Sequence, residues 1–147
     1  MAPSRLVLDE FIPYRLSVTS NLVSDVIART YEALFGLTIP EWRLVAVVAE
    51  SDGITQQAIG ATTRMDKVTV SRAAIALAGR GLMARRPHPE DRRSHLLSLT
   101  EAGRQLYGAI APKALALEEQ IFSRLEPAEV AAFLATLRRI EAAALQI

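Results

Sequence analysis

Residues 66–93 read DKVTVSRAAIALAGRGLMARRPHPEDRR, and the rest of the chain can be interpreted around them. Apolar side chains in the first half recur at helical spacing, which predicts a helix with one buried face. Asp66 is a suitable N-cap for this helix, and Gly79 and Gly81 are suitable stop signals. A ribbon of two strands is predicted after it, at residues 82–86 and 93–99, with a turn at 87–91.

Positive charge is concentrated in the same stretch. The chain of 147 residues has a formal net charge of only +1. Between Arg64 and Arg93 there are eight basic and three acidic residues, which gives this segment +5 and leaves −4 for the remainder. A basic block within an acidic remainder is typical of a surface that binds nucleic acid, although a solvated charged face is the alternative interpretation.

Composition argues against several other classes of protein. The chain has no cysteine, which excludes disulfides and thiolate metal sites, and with only His88 and His95 as histidines we expect no metal and no cofactor. No serine lies in a nucleophile elbow or a phosphate-binding loop, so we expect no enzyme. The longest apolar runs, such as Leu44–Ala49, have six residues and are far shorter than the ~20 residues that span a bilayer. Without a secretory signal, a cytoplasmic protein without membrane contact is expected.

Two shorter helices are predicted before this stretch. Thr38 and Glu41 have the spacing of a capping box, in which each side chain accepts from the backbone amide of the other residue. Thr55 is a suitable cap for a helix over residues 56–63. That helix and the basic helix after it, joined by a tight turn, are typical of a helix-turn-helix. With the ribbon added, the pattern predicts a winged helix-turn-helix.

Long helices are predicted at both ends of the chain. One runs from a cap at Asp9 to a stop at Gly36. After the ribbon, Thr100 caps a helix that reaches about Leu125, and Pro127 begins the last one. Their apolar stripes need partner surfaces, which favours a homodimer over a monomer with purely internal packing. We therefore predict a mainly α fold with a small two-stranded β-wing, a DNA-binding lobe at 39–99 and a helical dimerisation lobe at 1–38 and 100–147.

These motifs together resemble the MarR family of winged-helix transcriptional regulators over nearly the whole chain. The resemblance implies a homodimer that binds a palindromic operator in double-stranded DNA, usually as a repressor of nearby genes. It also implies release by a small, often aromatic or anionic, effector. The matching segments are PEWRLVAVVAE (40–50), TQQAIG (55–60), DKVTVSRAAIALAGRGLMARR (66–86) and PEDRRSHLLSLTEAGRQLY (89–107).

The predicted major-groove contacts lie at the start of the basic helix. The guanidinium of Arg72 matches guanine O6 and N7, or two phosphate oxygens. Lys67 and Thr69 can reach base edges or phosphates, and Val68 can meet a thymine methyl group. Ser71 is either a phosphate contact or a hydroxyl bonded to its own backbone. The polar face of this helix is predicted to comprise Lys67, Thr69, Arg72, Ala76 and Arg80.

The wing is predicted to contribute a second set of contacts. Arg92 is expected to enter the minor groove, where negative potential is concentrated. The resemblance implies that Arg93 pairs with Asp66 and clamps the wing to the helix, so Arg93 is either an organiser or a DNA contact. Asp91 is expected to accept from backbone amides of the wing turn. The further candidates for phosphate contacts are Thr55, Gln56 and Arg86. The adjacent Arg85 faces the opposite way on the strand and is the alternative to Arg86.

Two alternatives remain open from the sequence. Tyr31, Trp42 and Arg43 are candidates for a ligand cleft, because an aromatic ring beside a cation suits an anionic aromatic ligand. The alternative, which we favour, is that Tyr31 and Trp42 are core residues. For the whole chain, the alternative is a winged-helix protein-interaction or dimerisation module without sequence-specific DNA binding, which should lack the basic residues Lys67, Arg72, Arg92 and Arg93.

Overall fold

The computed structural model describes residues 4–147, so the first three residues of the predicted dimerisation lobe lie outside the described range. Strands β1 (Met83–Pro87) and β2 (His95–Leu99) pair antiparallel, with Met83 opposite Leu99. A short 3-10 helix, Leu8–Glu10, precedes the first α-helix. The predicted mainly α fold with a two-stranded wing is confirmed. The helices are α1 (Ile12–Phe35), α2 (Ile39–Ala49), α3 (Gln56–Thr63), α4 (Lys67–Gly79), α5 (Glu101–Phe122) and α6 (Pro127–Ala144).

The first long helix begins later than predicted. Asp9 lies in the 3-10 helix, and its carboxylate accepts a hydrogen bond from Nη1 of Arg15 at 3.1 Å instead of capping α1. The N-cap of α1 is Phe11, which makes no side-chain capping bond. The predicted stop is correct: Gly36 adopts a left-handed conformation with φ 62°, which a residue without a side chain adopts at little cost.

The caps of the next three helices agree with the sequence pattern. The Oγ1 atom of Thr38 accepts from the amide of Glu41, and the Thr38 amide donates to Oε1 of Glu41, both at 3.3 Å. The side chains of Thr55 and Asp66 accept from the amide three residues later, at 3.1 and 2.7 Å. Arg64 ends α3 in a left-handed conformation with φ 61°. Local capping chemistry therefore sets where α2, α3 and α4 begin.

Arg80 connects α4 with α1, a contact that the sequence did not indicate. Its two terminal nitrogens donate to the carbonyl oxygens of Phe35 and Gly36, each at 3.2 Å. The last carbonyls of a helix lack partners within the helix and carry the negative end of its dipole, so a guanidinium is well suited to cap them. Arg80 is exposed, as expected for the polar face of α4, but its terminal nitrogens are engaged with the end of α1.

The apolar core packs against one face of α4. The residues buried there come from every element between α2 and β2, so the helix-turn-helix and the wing share one core. Since that core covers only one side of α4, the opposite side is exposed. The buried side chains are Leu44, Val45, Val48, Ile59, Val70, Ala73, Ala74, Leu77, Met83, Leu97 and Leu99.

The chain divides into two compact units, one up to Pro112 and one from Lys113 to Ile147. The boundary lies within α5, at the proline that cannot donate a backbone hydrogen bond. In residues 4–147 no helix combines the length and the apolar character needed to cross a bilayer. Large apolar side chains are exposed on the terminal helices, namely Ile12, Leu16, Leu22 and Leu34 on α1, and Phe133, Leu134 and Ile140 on α6.

Candidate nucleic-acid interface

The exposed side of α4 is the first part of the candidate interface. Arg72 is exposed and lies opposite the buried face of this helix, as the sequence predicted for a groove contact. Lys67 at the N-terminus is also exposed, whereas Thr69 and Ser71 are half-buried at the edges of the face. The face is less polar than predicted, because two exposed aliphatic side chains lie on it beside Arg72: Val68, 58% exposed, and Ile75, 63% exposed.

The N-terminus of α4 carries a fixed negative charge at Asp66. Its Oδ1 atom accepts from the amide of Thr69 at 2.7 Å. This bond, then the Thr69 side chain, and more weakly the charge of Arg72, hold the pKa of Asp66 below its ordinary value of 3.8. The carboxylate is therefore ionised near neutral pH and stabilises the first turn of α4.

The predicted clamp between Asp66 and Arg93 is not present in the structure. Within the described residues, the ion pairs join Arg15 to Asp9 and Arg104 to Glu101, and Asp66 and Arg93 are not paired. Asp66 acts as a helix cap, while the Arg93 side chain lines a depression beside the wing. The clamp that the resemblance implied must therefore be corrected for this structure.

Other contacts hold the wing against the helix-turn-helix. Ile54, in the loop between α2 and α3, exchanges two backbone hydrogen bonds with Leu97 of β2, at 2.8 and 3.1 Å. From β1, Nη2 of Arg86 donates to the carbonyl oxygen of Asp52 at 2.9 Å. The loop is thus joined to β2 by a single β-bridge, and Arg86 connects β1 to the same loop. This use of Arg86 argues against its predicted role as a phosphate contact.

The tip of the wing is a turn stabilised by its own side chains. The Oδ1 atom of Asp91 accepts from the amide of Arg93 at 3.0 Å, and Nδ1 of His88 accepts from the amide of Glu90 at 3.0 Å. Asp91 therefore contributes to the turn, although it makes no clamp to α4. Arg92 and Arg93 are exposed in this turn, with their charges available to a partner.

A polar depression of about 190 Å³ lies between α3 and the wing. Gln56 and Gln57 line it from the start of α3, and Arg85 and Arg93 line it from the wing. The opening of a helix presents unpaired backbone amides, and two arginines lie opposite them, so the depression is suited to a phosphate group. The hydroxyl of Thr55, by contrast, is used in capping α3.

A second depression, of about 390 Å³, lies beside the same glutamines and next to α4. It is lined by Gln56, Gln57, Gly60, Lys67 and Val70. Because both depressions share the two glutamines, they are neighbours, and we refer to them together as the groove beside α3. Its basic side chains are Lys67, Arg85 and Arg93, which are suited to contacting phosphate groups.

The aromatic residues near the end of α1 form a cluster. The ring centroids of Tyr31 and Trp42 are 5.2 Å apart, and those of Trp42 and Tyr107 are 6.2 Å apart with nearly parallel planes. Tyr31 is only 3% exposed, and burial raises the pKa of its hydroxyl. This packing favours a core role for Tyr31, whereas Trp42 is half-buried and Arg43 is exposed.

Several residues of the groove and of the aromatic cluster had no decisive signal in the sequence. Arg85 and Arg86 are adjacent on a strand and point to opposite sides, but the sequence does not decide which side faces the groove. Gln57 and Tyr107 carry no local motif. Ile75 had a usable signal, because its helical position lies opposite the buried face of α4, but its side chain has no charge or hydrogen-bonding group that would mark it as a candidate contact.

Comparison with known proteins places the chain among transcriptional regulators. Residues 35–94 match the model of the MarR family. The transcriptional regulator HosA of Escherichia coli O111:H- is 27% identical over 113 residues, which are 77% of this chain and 84% of that protein.

Solved structures agree with this match over nearly the whole chain. A MarR/EmrR family regulator from Acinetobacter sp. ADP1 is 25% identical with a TM-score of 0.89, covering 97% of this chain and 100% of that one. BpsR of Bordetella bronchiseptica, whose DNA binding is regulated by 6-hydroxynicotinic acid, is 25% identical with a TM-score of 0.80. That match covers 88% of this chain and 98% of that one.

Proposed function

Because the chain belongs to the MarR family of transcriptional regulators, we propose that it binds a palindromic DNA operator as a homodimer and represses nearby genes. The observation that carries this proposal is that basic side chains of α4 and of the wing are exposed or line the depressions beside α3. Arg72 is exposed on α4, Lys67 lines one depression, and Arg85 and Arg93 line the other. A protein-interaction module would not need this arrangement of charge.

Arg72 is proposed to contact base edges in the major groove, and Lys67 and Thr69 are proposed to make contacts beside it. The planar guanidinium can donate two hydrogen bonds to guanine O6 and N7, a match worth about 1–3 kcal/mol against a wrong base. Lys67 lies at the rim of the groove beside α3, where a phosphate contact is favoured. Ser71 is half-buried, so its hydroxyl is better suited to phosphate than to a base edge.

The phosphate backbone is proposed to lie along the two depressions. Gln56, Arg85 and Arg93 line the depression at the wing and can donate to phosphate oxygens there. Arg85 takes the role first assigned to Arg86, which is engaged with Asp52. At the tip of the wing, exposed Arg92 is proposed to enter the adjacent minor groove.

The homodimer is proposed to form through the terminal helices. Exposed Ile12 and Leu16 on α1, and Phe133 and Leu134 on α6, are apolar side chains that a second copy would cover. A two-fold axis would place two recognition helices about one DNA turn apart, which is the spacing of a palindromic operator. Residues 1–38 and 100–147 are the proposed dimerisation lobe on this basis, and residues 39–99 are the proposed DNA-binding lobe.

A small aromatic acid is proposed as the effector that releases DNA. The Bordetella relative supports this class of ligand, and half-buried Trp42 beside exposed Arg43 offers a ring and a cation for it. Trp42 is the chain's only tryptophan, so its fluorescence reports on this position directly. Addition of 6-hydroxynicotinic acid should change that fluorescence and weaken operator binding at the same concentrations.

Selection of bound fragments from the source organism's genomic DNA tests the main proposal. We expect enrichment of a palindromic site and a steep fall in affinity with salt, by about 0.9 log units per log of salt for each neutralised phosphate. Arg72→Ala should weaken operator binding by about 1–3 kcal/mol and relax the sequence preference.

Arg139→Ala, an arginine substitution on α6, is the matched control and should leave DNA binding unchanged. If Arg72→Ala loses affinity equally for operator and random DNA, Arg72 is only a phosphate contact. If no sequence is enriched and binding is absent at low salt, the chain is a winged-helix module without a DNA operator.

A further inference from the structure

Two aliphatic side chains are exposed at the centre of the DNA-facing side of α4. Val68 is 58% exposed and Ile75 is 63% exposed, although α4 lies in the most basic part of the chain. With 3.6 residues per turn, positions 68, 72 and 75 fall on one stripe of the helix, opposite the buried face. Arg72 therefore has an apolar neighbour on each side along the helix.

The spacing of these side chains fits the spacing of base pairs. Seven residues of α-helix rise by about 10 Å. Stacked base pairs rise by about 3.4 Å, so the two side chains are about three base-pair steps apart when α4 lies along the groove. When Arg72 contacts one base pair, Val68 and Ile75 therefore lie near the base pairs on either side of it.

The major groove displays one apolar group, the C5 methyl of thymine. We propose that Val68 and Ile75 read thymine methyl groups on either side of the Arg72 contact, with Ile75 as an additional specificity-determining residue. This inference rests on the proposed function, since it assumes that α4 enters the major groove of an operator. Each half-site should then carry two thymines about three base-pair steps apart.

The surroundings favour DNA rather than an apolar protein surface as the partner of Ile75. The segment from Arg64 to Arg93 carries +5, and Lys67 and Arg72 are exposed on the same helix. A protein partner that covered Ile75 would have to desolvate these cations or supply acids for them, whereas a DNA groove supplies phosphates at its rim. An aliphatic side chain adds no phosphate contact, so its effect should depend on sequence and not on salt.

The test measures the coupling between each side chain and each methyl group. A half-site is first selected from random DNA, and every thymine in it is replaced in turn by uracil, which lacks only the methyl group. With the wild-type protein, uracil should weaken binding about fourfold at two positions, the equivalent of one buried methyl group. In Ile75→Ala the loss should disappear at one of these positions, and in Val68→Ala at the other. DNA with cytosine at either position should also bind weakly, and replacing that cytosine by 5-methylcytosine should raise the affinity about fourfold.

Ile75→Val, which keeps methyl groups at this position, is the conservative control and should retain most of the response to uracil. Because Val68 and Ile75 are both exposed, none of these variants should lower the thermal midpoint, and the salt dependence should stay that of the wild type. Equal losses with uracil in wild-type protein and in Ile75→Ala would overturn the proposal for Ile75. If the random library yields no preferred sequence at all, the proposed function fails instead, so the two failures are distinguishable.

Discussion

At the scale of single residues, the absence of a side chain at Gly103 sets the junction between the wing and α5. A Cβ atom at this position would overlap the carbonyl oxygen of Leu82. That oxygen accepts from the amide of Thr100 at 3.1 Å, and the Thr100 hydroxyl donates to the carbonyl of Gly81 at 2.7 Å. The start of α5 therefore lies directly against the backbone before β1, which leaves no room for a larger residue.

We expect Gly103→Ala to lower the free energy of unfolding by about 1–3 kcal/mol, because the backbone of Leu82 or the start of α5 must move. Gly108→Ala is the matched control on the same helix, since nothing lies within 4 Å of its missing Cβ. This control should raise the free energy of unfolding by about 1 kcal/mol through helix propensity. Urea unfolding of both variants measures the difference, and a neutral Gly103→Ala would contradict the close contact.

Asp66 should make stability depend on pH on the acid side. Because folding lowers the pKa of its carboxyl, the stabilising contribution is complete above pH 3.8 and is lost as the pH falls through the folded-state value. Asp66→Asn keeps an acceptor for the cap but does not titrate. As the pH falls from 3.8 through the folded-state value, the wild-type protein should therefore lose more stability in urea unfolding than this variant. Parallel losses would show that the cap does not depend on charge.

At the scale of elements, long-range side chain to backbone contacts fix α4 and the wing. Arg80 caps α1 from the end of α4, and Arg86 holds the loop before α3 from β1. Both guanidiniums donate to carbonyl oxygens, so they act as donors to backbone and not as ion pairs. The position of the recognition helix is therefore coupled to α1, one of the helices proposed to form the dimer.

Arg80→Ala should reduce the free energy of unfolding by about 1 kcal/mol, because two exposed helix carbonyls lose a charged donor. Arg80→Lys should recover only part of this, since an ammonium cannot bridge both oxygens as a planar fork does. Arg85→Ala is the control, an exposed arginine without such backbone bonds among the described residues. Chemical denaturation of the three variants tests the prediction, and equal effects of Arg80→Ala and Arg85→Ala would refute it.

The sequence predicted most of the features that depend on neighbouring residues, although Asp9 does not cap α1 as expected. Thr38 with Glu41, Asp66 and Gly36 carry capping or stop signals within a few positions, and the helix ends that they set are correct. Contacts between distant residues, such as the bridge between Ile54 and Leu97, carry no signal of this kind.

The residues of the candidate site fall into the same two groups, those set by local pattern and those set by contacts between distant residues. The exposure of Arg72 follows from helical periodicity and was predicted, whereas the partner of Arg93 depends on how the wing folds back and was wrong. Arg86 likewise donates to Asp52, a contact that no spacing in the sequence indicates.

At the scale of the whole molecule, positive charge is concentrated in the middle of the chain, and most of the exposed apolar side chains lie toward its ends, with Val68 and Ile75 as the exceptions. The segment from Arg64 to Arg93 carries +5, and the remainder carries −4. Apolar side chains with 38% or more of their surface exposed occur on the terminal helices, including Leu16 on α1 and Leu134 on α6. The basic segment therefore suits DNA, and the ends of the chain suit a second copy.

Leu134→Glu should weaken the proposed dimer, because a carboxylate would be buried against apolar side chains of the partner. We expect light scattering to give a lower mass at micromolar concentrations, and operator binding to fall toward the affinity for a half-site. Ala135→Glu introduces the same charge on the adjacent side of α6 and should remain dimeric. An unchanged mass for Leu134→Glu would exclude this part of α6 from the interface.

The backbone bridge between Ile54 and Leu97 also bears on the thermodynamics of DNA binding. A wing that was unstructured in the free protein would become ordered on DNA, at a cost of roughly 1–2 kcal/mol of conformational entropy per residue. Here the bridge and the Arg86 contact order the base of the wing during folding. This preorganisation removes that loss from the binding step, so calorimetry of operator binding should give a small heat-capacity change, set by the area of contact alone.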